Sequence, residues 1–471
     1  MPRRRPCLSG LATNPTRHGG RAILFSLLTN TIYLLLIAAA SPIIAYRMIV
    51  QGKYRQGWSH KFLGLLPVRQ SEEKTIWFHA VSVGEVLLLQ SILPKLHEQH
   101  DDLKIVISTT THTGQAVAKE KYPDCTICYC PLDFSWAVKN GLSRVKPDLL
   151  VLVELELWPN LIREADRKRI PLAIINGRLS ERSFRGYQKI RPVISSLLQT
   201  FYLISAQSES YADRFRKLGA GWAQVNVTGS VKFDQVTTDR QNSQTENLRL
   251  LLGVKEHETV LIAGSTQAPE EDYALQAYES LKPTFPHLRL ILVPRHKERF
   301  EEVARLITRK NLPLTRRSSL PESPQPVSSS ADESSVILLD TLGELGACWG
   351  LAEIAYVGGS LTNRGGQNMI EPAAYGAAIT FGPNTGNFRD AVLLLKDANA
   401  ATVISDGQQM APVFQRFLES PDLTREMGQR ARQAVLPQQG ATQRTVDSLL
   451  SLLTQSTESP KNTVITTNRA A

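Results

Sequence analysis

The sequence predicts an α/β protein of two doubly wound domains, each with a parallel sheet covered by helices on both faces. The chain has 471 residues, more than a single hydrophobic core usually organises. After residue 74, short β-branched runs alternate with amphipathic stretches. The runs are continuously apolar, which is typical of strands buried on both faces. A polar stretch at 236–248 interrupts the alternation and predicts a linker.

The first predicted domain covers residues 48–235 and the second covers residues 249–454. Predicted strands include TIWFHAV, KIVIST, LLVLVELEL and PLAIIN in the first, and TVLIAGS, LRLILVPR, SVILLD and EIAYVG in the second. A Pro/Ser-rich segment at 311–335 predicts a mobile loop, and the polar tail at 455–471 predicts disorder. Two such domains facing each other would line a cleft with the carboxyl ends of their strands.

The N-terminal region predicts a membrane anchor at 21–47, preceded by a basic segment at 1–20. No residue from Ala22 to Tyr46 is charged, and the run is long enough to cross a hydrocarbon layer of about 30 Å as a helix. A cleaved signal peptide is the alternative, because AAAS resembles a cleavage site. Basic residues are balanced on the two sides, so the helix either spans the membrane or lies in one leaflet.

The charge balance indicates which partners to expect. The chain has 54 Lys+Arg against 44 Asp+Glu, a formal charge of +10, which favours anionic partners. Its basic residues are spread along the sequence without a nucleic-acid motif, so we expect a membrane surface or a phosphorylated substrate and no nucleic acid. The cysteines of CTICYC lack a second ligand pair, so they predict core residues, and we expect no metal and no cofactor.

Glu85 is the first candidate for chemistry, because it lies where a buried strand gives way to a helix. The pattern Ser82-x-x-Glu85 fits a capping box, in which the two side chains satisfy amides at the helix start. Gly84 equally allows a ligand to approach the backbone, and the helix dipole keeps a carboxylate ionised there, as a general base requires. The sequence leaves both interpretations open.

Glu154 and Glu156 end the most apolar strand of the first half. Acidic residues at the carboxyl end of a parallel strand are typical of a site, although pairing with Arg163 is the structural alternative. Two carboxylates close to Glu85 would raise one another's pKa values.

The second half carries three further candidate segments. AGSTQAPEE is interpreted as a helix start that exposes Ser265 and Thr266 to a phosphate, or as an ordinary N-cap. Arg295, after a strand, suits a bidentate phosphate contact. The glycine-rich segment that contains Asn368 and Glu371 is either a turn or a binding loop. Neither a Walker A sequence nor GxGxxG occurs in the chain.

Together these stretches resemble the 3-deoxy-D-manno-octulosonic acid (Kdo) transferases of lipopolysaccharide biosynthesis. The matching segments keep the family's order over roughly residues 47–450, and the apolar N-terminus is similar to the family's membrane anchor. They are HAVSVGE (79–85), ELELWPN (154–160), NGRLSERSFRGY (176–187), GSVKFD (229–234), AGST (263–266), PRHKERF (294–300), DTLGEL (340–345) and GGQNMIEPAAYG (365–376).

The resemblance implies a GT-B glycosyltransferase that transfers Kdo, with inversion, from CMP-Kdo to a lipid A precursor. It implies an acceptor-binding first domain, a CMP-sugar-binding second domain, and a location on the cytoplasmic face of the inner membrane. By family analogy Glu85 is the general base, and Lys232 with either Glu154 or Glu156 stabilises the transition state. The implied CMP-Kdo-binding residues are Ser265, Pro294, Arg295, Leu342, Gly343, Glu344, Asn368, Met369, Ile370 and Glu371.

Two alternative functions are compatible with the same fold. One is a GT-B nucleotide-sugar epimerase, which needs no lipid anchor. The other is a noncatalytic, membrane-anchored nucleotide-binding protein, for which Glu85 would be dispensable.

Overall fold

The structure is a computed structural model that describes residues 16–50, 56–321 and 334–455. The described chain forms two compact units. The first contains the residues up to Val231 together with those from Gly440 onward, and the second runs from Lys232 to Gln439. The tail predicted to be disordered lies almost entirely outside the described residues, as do the basic segment up to residue 15 and the middle of the Pro/Ser-rich loop.

The first unit contains a parallel sheet with strand order β3-β2-β1-β4-β5-β6-β7. All five residues of β1 and of β4 are buried, which explains why their sequences are continuously apolar. The strands are β1 (Thr75–His79), β2 (Lys104–Thr109), β3 (Thr126–Tyr129), β4 (Leu149–Val153), β5 (Leu172–Gly177), β6 (Leu203–Ala206) and β7 (Val225–Val227).

Helices cover both faces of this sheet, and several begin at the caps that the sequence indicates. Ser82, Thr111, Ser180 and Ser208 each accept a hydrogen bond from a backbone N–H in the first turn of their helix. The helices are α1 (Thr16–Val50), α2 (Trp58–Leu63), α3 (Val83–Gln99), α4 (His112–Lys121), α5 (Ser135–Val145), α6 (Pro159–Arg167), α7 (Glu181–Gln188), α8 (Arg191–Leu198) and α9 (Glu209–Leu218).

The second unit repeats this plan, with a parallel sheet of order β10-β11-β9-β8-β12-β13-β14. Its strands are β8 (Thr259–Thr266), β9 (Leu288–Pro294), β10 (Leu314–Arg316), β11 (Val336–Leu338), β12 (Ile354–Val357), β13 (Ala378–Phe381) and β14 (Ala401–Val403). Its helices are α10 (Ser243–Leu252), α11 (Glu270–Leu281), α12 (Phe300–Arg309), α13 (Leu345–Cys348), α14 (Ile370–Ala374), α15 (Arg389–Asp397), α16 (Met410–Glu419) and α17 (Pro421–Val435).

The last helix, α18 (Ala441–Gln455), belongs to the first unit rather than to the second. Val446, Leu449 and Leu453 join the apolar cluster that contains the buried face of α3. Burying each such side chain contributes roughly 1.5–3 kcal/mol. The second unit therefore ends at residue 439, whereas the sequence predicts a second domain that extends to residue 454.

Two other boundaries differ from those predicted. Asn242 caps α10 with its side chain, accepting from the N–H of Thr245 at 3.0 Å, so the second half of the predicted linker is helical. The predicted mobile loop begins with an ordered segment, since β10 pairs with β11 and Arg317 is buried. Both segments are polar in sequence, yet partners distant along the chain fix them: the Thr245 hydroxyl donates to the Ala347 carbonyl, and Arg317 pairs with Glu344. Of the cysteines in CTICYC, Cys128 and Cys130 are core residues, as predicted.

Candidate active site

Glu85 lies in the first turn of α3, directly after β1. Its carboxylate accepts hydrogen bonds from the Val81 N–H at 2.7 Å and from the Ser82 hydroxyl at 2.8 Å. Ser82 Oγ in turn accepts from the Glu85 N–H at 3.5 Å. The side chain therefore supports the helix start, as the capping interpretation requires. Each carboxylate oxygen keeps a second lone pair, so this role does not prevent it from accepting a proton.

The surroundings of Glu85 make its carboxyl group more basic than usual. The residue is 8% exposed, and burial is the largest cause that raises its pKa to about 7. The hydrogen bonds from Ser82 and Val81 oppose this shift, whereas the negative charges of Glu154 and Glu156 add to it. A carboxyl group with a pKa near neutrality is suited to general base catalysis, because it is both available and able to hold a proton.

Glu154 and Glu156 follow β4, the neighbour of β1 in the sheet. Glu154 has a φ of 63°, a left-handed conformation that costs a residue with a side chain of order 1–3 kcal/mol. Its N–H donates to the Ile175 carbonyl at 2.9 Å. The Glu156 carboxylate accepts from Trp158 Nε1 at 3.1 Å, and burial, then the charge of Glu154, raises its pKa. The structure thus brings together the three carboxylates that the sequence singles out in the first unit.

His79 lies beside this site. It belongs to the HAVSVGE motif, but the motif does not indicate its role. It is fully buried, and its Nδ1 lies 2.9 Å from Ser108 Oγ. The ring meets that of Trp158 edge-on at 5.8 Å, and Nε2 has no hydrogen-bond partner among the described residues. Burial lowers the pKa of His79 to about 4, so the imidazole is neutral near pH 7 and adds no positive charge to the site.

Gly84 is not required by the packing of the protein. A Cβ atom added there would meet only Ser82 Oγ, at 3.9 Å, and its φ is not positive. The turn before it is held instead by Thr110, whose hydroxyl donates to the Val81 carbonyl at 3.2 Å. The space beside Gly84 is therefore open to a ligand that approaches Glu85.

Lys232, the remaining predicted catalytic residue, is the first residue of the second unit. It lies in a short 3₁₀ turn, Val231–Gln235, and its Nζ atom is 5.5 Å from the centroid of the Phe388 ring. Its role in stabilising the transition state stays a prediction.

Ser265 and Thr266 form the end of β8, and α11 begins only at Glu270. The prediction that they start a helix is therefore wrong. The pairing of β8 with β9 shifts register between Gly264 and Thr266, and Ser265 has a φ of 54°. Irregularities of this kind are frequent next to binding sites. The place of Ser265 at the carboxyl end of the strand keeps it a candidate ligand of the donor.

The carboxylate of the buried residue Glu270 takes the place of the phosphate that the sequence predicts near the start of α11. Its carboxylate accepts from the N–H groups of Gln267, Gly359, Ser360 and Leu361 at 2.7–3.0 Å and from the Tyr356 hydroxyl at 2.9 Å. This carboxylate therefore occupies the N–H of Gln267, just before α11, and the N–H groups of the segment that follows β12. The sequence does not reveal this role, because all the partners of Glu270 except Gln267 are about 90 residues away along the chain.

Arg295, Asn368 and Glu371 come together in the second unit. Arg295 is exposed just after β9, and its N–H donates to the Thr266 carbonyl at 3.0 Å. Its charge opposes the effect of burial, which raises the pKa of Glu371. Asn368 Nδ2 donates to the Glu371 carboxylate at 2.9 Å. A cation, an amide and a carboxylate are thus available beside the buried residue Pro294.

The turn Leu342–Glu344 presents its backbone rather than its acidic side chain. Gly343 has a φ of 90° and Leu342 is 70% exposed. The Glu344 carboxylate accepts from the Thr341 hydroxyl and pairs with Arg317 at 3.0 Å. Arg317 comes from the segment predicted to be a mobile loop, so that segment contributes directly to the shape of this turn.

The glycines of the segment 358–366 are explained largely by the turn they form. Gly359, Gly365 and Gly366 have positive φ values, and the Asn387 side chain donates to the carbonyls of Arg364 and Gly366. The nearby Met369 and Ile370 are buried, so any contact with a ligand from these two residues involves mainly the backbone.

The described residues contain no group of three His, Cys, Asp or Glu side chains placed to hold a metal ion. One helix in the described chain, Ser26–Val50 within α1, is long and apolar enough to cross a membrane.

Comparisons with known proteins agree with the motifs. A family model described as 3-deoxy-D-manno-octulosonic-acid transferase (kdotransferase) matches residues 55–235. The 3-deoxy-D-manno-octulosonic acid transferase of Haemophilus influenzae is 33% identical over 376 residues, covering 79% of this chain and 86% of the relative. That of Bordetella pertussis is 30% identical over 385 residues, covering 79% of this chain and 86% of the relative.

Two solved structures are also similar. The C-terminal CMP-Kdo binding domain of WaaA from Acinetobacter baumannii is 32% identical, with a TM-score of 0.37, covering 41% of this chain and 96% of that domain. UDP-GlcNAc 2-epimerase from Neisseria meningitidis is 13% identical, with a TM-score of 0.54, covering 80% of this chain and 100% of that enzyme. The likeness to the epimerase concerns the fold alone, and with the two parallel sheets it confirms the predicted GT-B class. Because its relatives match most of its length, the chain belongs to the 3-deoxy-D-manno-octulosonic acid (Kdo) transferase family of glycosyltransferases.

Proposed function

We propose that this protein transfers Kdo from CMP-Kdo to a lipid A precursor, by an inverting mechanism in which Glu85 is the general base. Membership of the Kdo transferase family supports the sugar that is transferred. The observation that carries the mechanism is the environment of Glu85, a buried carboxyl group whose pKa is raised to about 7 beside an open approach at Gly84. The proposed substrate is thus an acceptor with a free sugar hydroxyl.

The proposed reaction begins when the Glu85 carboxylate removes the proton of that hydroxyl. The acceptor oxygen attacks the anomeric carbon of Kdo as the bond from that carbon to the CMP phosphate oxygen breaks. CMP leaves as a phosphate monoester, and Glu85 keeps the proton until solvent removes it. In this scheme Lys232, together with Glu154 or Glu156, stabilises the transition state. Of these residues only Lys232 is cationic, so it is the one that can offset the negative charge that grows on the departing CMP.

The strained backbone favours Glu154 over Glu156 for that role. A left-handed residue with a long side chain is tolerated only where surrounding contacts enforce it, and such residues concentrate at functional sites. The charge of Glu154 is also the larger of the two effects on Glu85.

The proposed donor site lies at the carboxyl ends of the strands in the second unit. Arg295 is exposed there and suits the phosphate of CMP, while Asn368 and Glu371 offer an amide and a carboxylate to hydroxyls or to the base. The turn at Leu342 and Gly343 offers backbone groups, and Glu344 shapes that turn through Arg317. Ser265, Pro294, Met369 and Ile370 complete the proposed donor contacts.

The proposed acceptor is embedded in lipid, and α1 supports a location at the membrane. We place the catalytic units on the cytoplasmic face of the inner membrane, since CMP-Kdo is expected in the cytoplasm. The positive formal charge of +10 suits an acceptor that carries phosphate and a surface rich in anionic lipid.

The purified full-length protein, incubated with CMP-Kdo and a lipid A precursor in detergent, tests this function. We expect mass spectrometry to show the acceptor heavier by one or more Kdo units, with CMP released only when acceptor is present. Release or interconversion of the nucleotide sugar without acceptor would favour the epimerase alternative. Binding of CMP without turnover would favour the noncatalytic one.

A further inference from the structure

Helix α1 is fixed to the first unit by a buried polar contact near the start of its apolar run. Asn30 Nδ2 donates to Ser135 Oγ at 2.8 Å, and the Ser135 N–H donates back to Asn30 Oδ1 at 3.0 Å. One turn later the Tyr33 hydroxyl donates to the Asp133 carboxylate at 2.9 Å. Asn30 and Asp133 are both buried. One side of this part of α1 therefore packs on protein, while Leu27 and Leu28 on the other side are exposed.

Asp133 also ties this contact to α6. Its carboxylate accepts from the N–H groups of Asn160 and Leu161 at 2.9 and 2.8 Å, so it caps α6 while it holds Tyr33. Removing any member would leave a buried polar group without its partner, which costs about 1–3 kcal/mol. The contact therefore fixes both the rotation and the depth of α1 on the unit.

The element after α1 packs at the same place. The Tyr33 ring meets Phe134 edge-on with centroids 6.1 Å apart, and the Phe62 ring of α2 stacks on Phe134, also at 6.1 Å. The Tyr33 and Phe62 rings are thus separated by at most twice that distance. After Tyr33, α1 continues away from the first unit. By Phe62 the chain is again beside Phe134, close to where it left.

This return excludes a membrane crossing between the two rings. From Tyr33 to Val50 the helix is about 26 Å long at 1.5 Å per residue. The segment from Val50 to Trp58 reaches roughly 30 Å only when fully extended. If α1 crossed the bilayer here, that segment would recross the hydrocarbon core as an extended strand that contains Lys53 and Arg55. Unpaired backbone and two charges are not tolerated at that depth.

The surface around this exit is itself suited to a lipid headgroup layer. Trp58 and Trp136 are 42% and 45% exposed although they are large aromatic residues, and tryptophan concentrates at membrane–water interfaces. Leu63 and Leu65 are also exposed, as are most of the large apolar side chains of α1 that follow Tyr33. We define the membrane face as residues 34–50 of α1 together with Trp58, Leu63, Leu65 and Trp136.

We propose that α1 is a monotopic anchor: it enters and leaves the same leaflet, and the membrane face seats the first unit on a phospholipid surface. The chain on both sides of α1 is then on the side of the catalytic units. The proposal rests on the membrane attachment in the proposed function, and it adds the topology of that attachment. An anchor of this kind also holds the first unit at the depth of the lipid headgroups, where a lipid-borne acceptor presents its sugar hydroxyls.

Thiol labelling of the full chain tests the topology, with Cys7 as a reporter ahead of α1. In the Cys125→Ser background, we expect a membrane-impermeant maleimide to modify Cys7 in inverted inner-membrane vesicles and to fail in intact spheroplasts. Glu98→Cys, exposed on α3, reports the side of the first unit and should behave identically. Modification of Cys7 in spheroplasts but not in inverted vesicles would overturn the monotopic topology and leave the proposed function intact. Recovery of the chain in the soluble fraction would overturn the membrane attachment itself.

Cross-linking within membranes tests whether the buried contact persists there. The double variant Asn30→Cys/Ser135→Cys should be joined by a short bifunctional maleimide in membrane preparations. The matched control Leu35→Cys/Ser135→Cys should not be joined, since Leu35 lies on the exposed side of α1. Equal thermal stability of the two variants would show that both fold. Cross-linking of neither variant, in folded protein, would show that α1 detaches in lipid, and would contradict the proposal.

Discussion

At the scale of single residues, Glu85 has two roles that use different parts of one carboxylate. Its oxygens accept from the Val81 N–H and the Ser82 hydroxyl, which supports the start of α3. Burial and two nearby carboxylates raise its pKa to about 7, which prepares it to take a proton. The sequence pattern indicates both interpretations, and the geometry makes them compatible.

The first prediction concerns the pH dependence of transfer. A general base acts only when deprotonated, so kcat/KM should rise with pH through about 7, the pKa of Glu85. Glu154→Gln removes a negative charge that opposes ionisation of Glu85, so the acid limb should move to lower pH. Glu156→Gln should move it less, because its effect on Glu85 is the smaller. Rate profiles between pH 5 and pH 9 measure this, and an acid limb unchanged in both variants would contradict the coupling.

The second prediction separates packing from ligand approach at Gly84. Gly84→Ala should raise the free energy of unfolding by up to about 1 kcal/mol, as expected for a helical glycine with free space. It should nevertheless lower kcat/KM for the acceptor roughly 10- to 100-fold, since misplacing a reacting group is costly. Gly186→Ala, in a helix and with no atom within 4 Å of the added Cβ, is the matched control and should gain stability alone. Full activity in Gly84→Ala would show that no ligand approaches there.

Residues with distant partners are the ones that the sequence does not reveal. Glu85, Glu154 and Glu156 could be proposed because each stands at a strand end recognisable from the local pattern. The structural roles of Glu270 and Arg317 depend on partners about 90 and 27 residues away, so no local pattern reports them. His79 belongs to a recognisable motif, but its neutral state depends on burial, which includes packing against Trp158, and the motif does not report this.

At the scale of elements, the strands could be predicted and the assignment of helices to units could not. Continuous apolar runs identify strands such as β1, β4 and β8 because a parallel sheet buries both faces. The amphipathic pattern of α18 indicates a helix, yet nothing in it specifies that its partner is α3. The error at Ser265 and Thr266 has a similar cause, since hydroxyl residues before an acidic run resemble an N-cap while sheet pairing extends β8 through them.

The third prediction follows from the ordered start of the Pro/Ser-rich segment. Arg317→Ala removes the cation that holds Glu344, which frees the Leu342–Glu344 turn. We expect KM for CMP-Kdo to rise about tenfold, equivalent to about 1.4 kcal/mol, with kcat nearly unchanged because the buried Arg317 acts through the position of Glu344. Arg309→Ala, an exposed arginine of α12, should change neither constant. A loss of kcat at constant KM in Arg317→Ala would contradict a positioning role.

At the scale of the whole molecule, the chain uses one architecture twice. Each unit is a doubly wound parallel sheet, and in each the candidate residues follow the carboxyl ends of neighbouring strands. Glu154 in the first unit and Ser265 in the second both have left-handed backbones at such an end. The sequence predicts this plan because the alternation of strands and helices and the polar residues at strand ends are local features. The course of α1 is not local, since it depends on the contacts of Tyr33 and Phe62 with Phe134.

The fourth prediction tests the central claim, that Glu85 is the general base as well as a cap. Glu85→Gln keeps an acceptor for the Val81 N–H and a polar partner for Ser82, but it cannot take a proton. Because the folded-state pKa is raised, the stability that Glu85 contributes is lost as pH rises through about 7. The glutamine variant should therefore be at least as stable as the native protein at pH 8.

The most direct measurement is turnover per folded molecule of Glu85→Gln at pH 8, with CMP-Kdo and a lipid A precursor, alongside its thermal unfolding. We predict a loss of transfer of roughly 10²–10⁴-fold, with an unchanged or higher Tm. Transfer at the native rate per folded molecule, accompanied by a lower Tm, would contradict the proposed mechanism and leave Glu85 only its structural role.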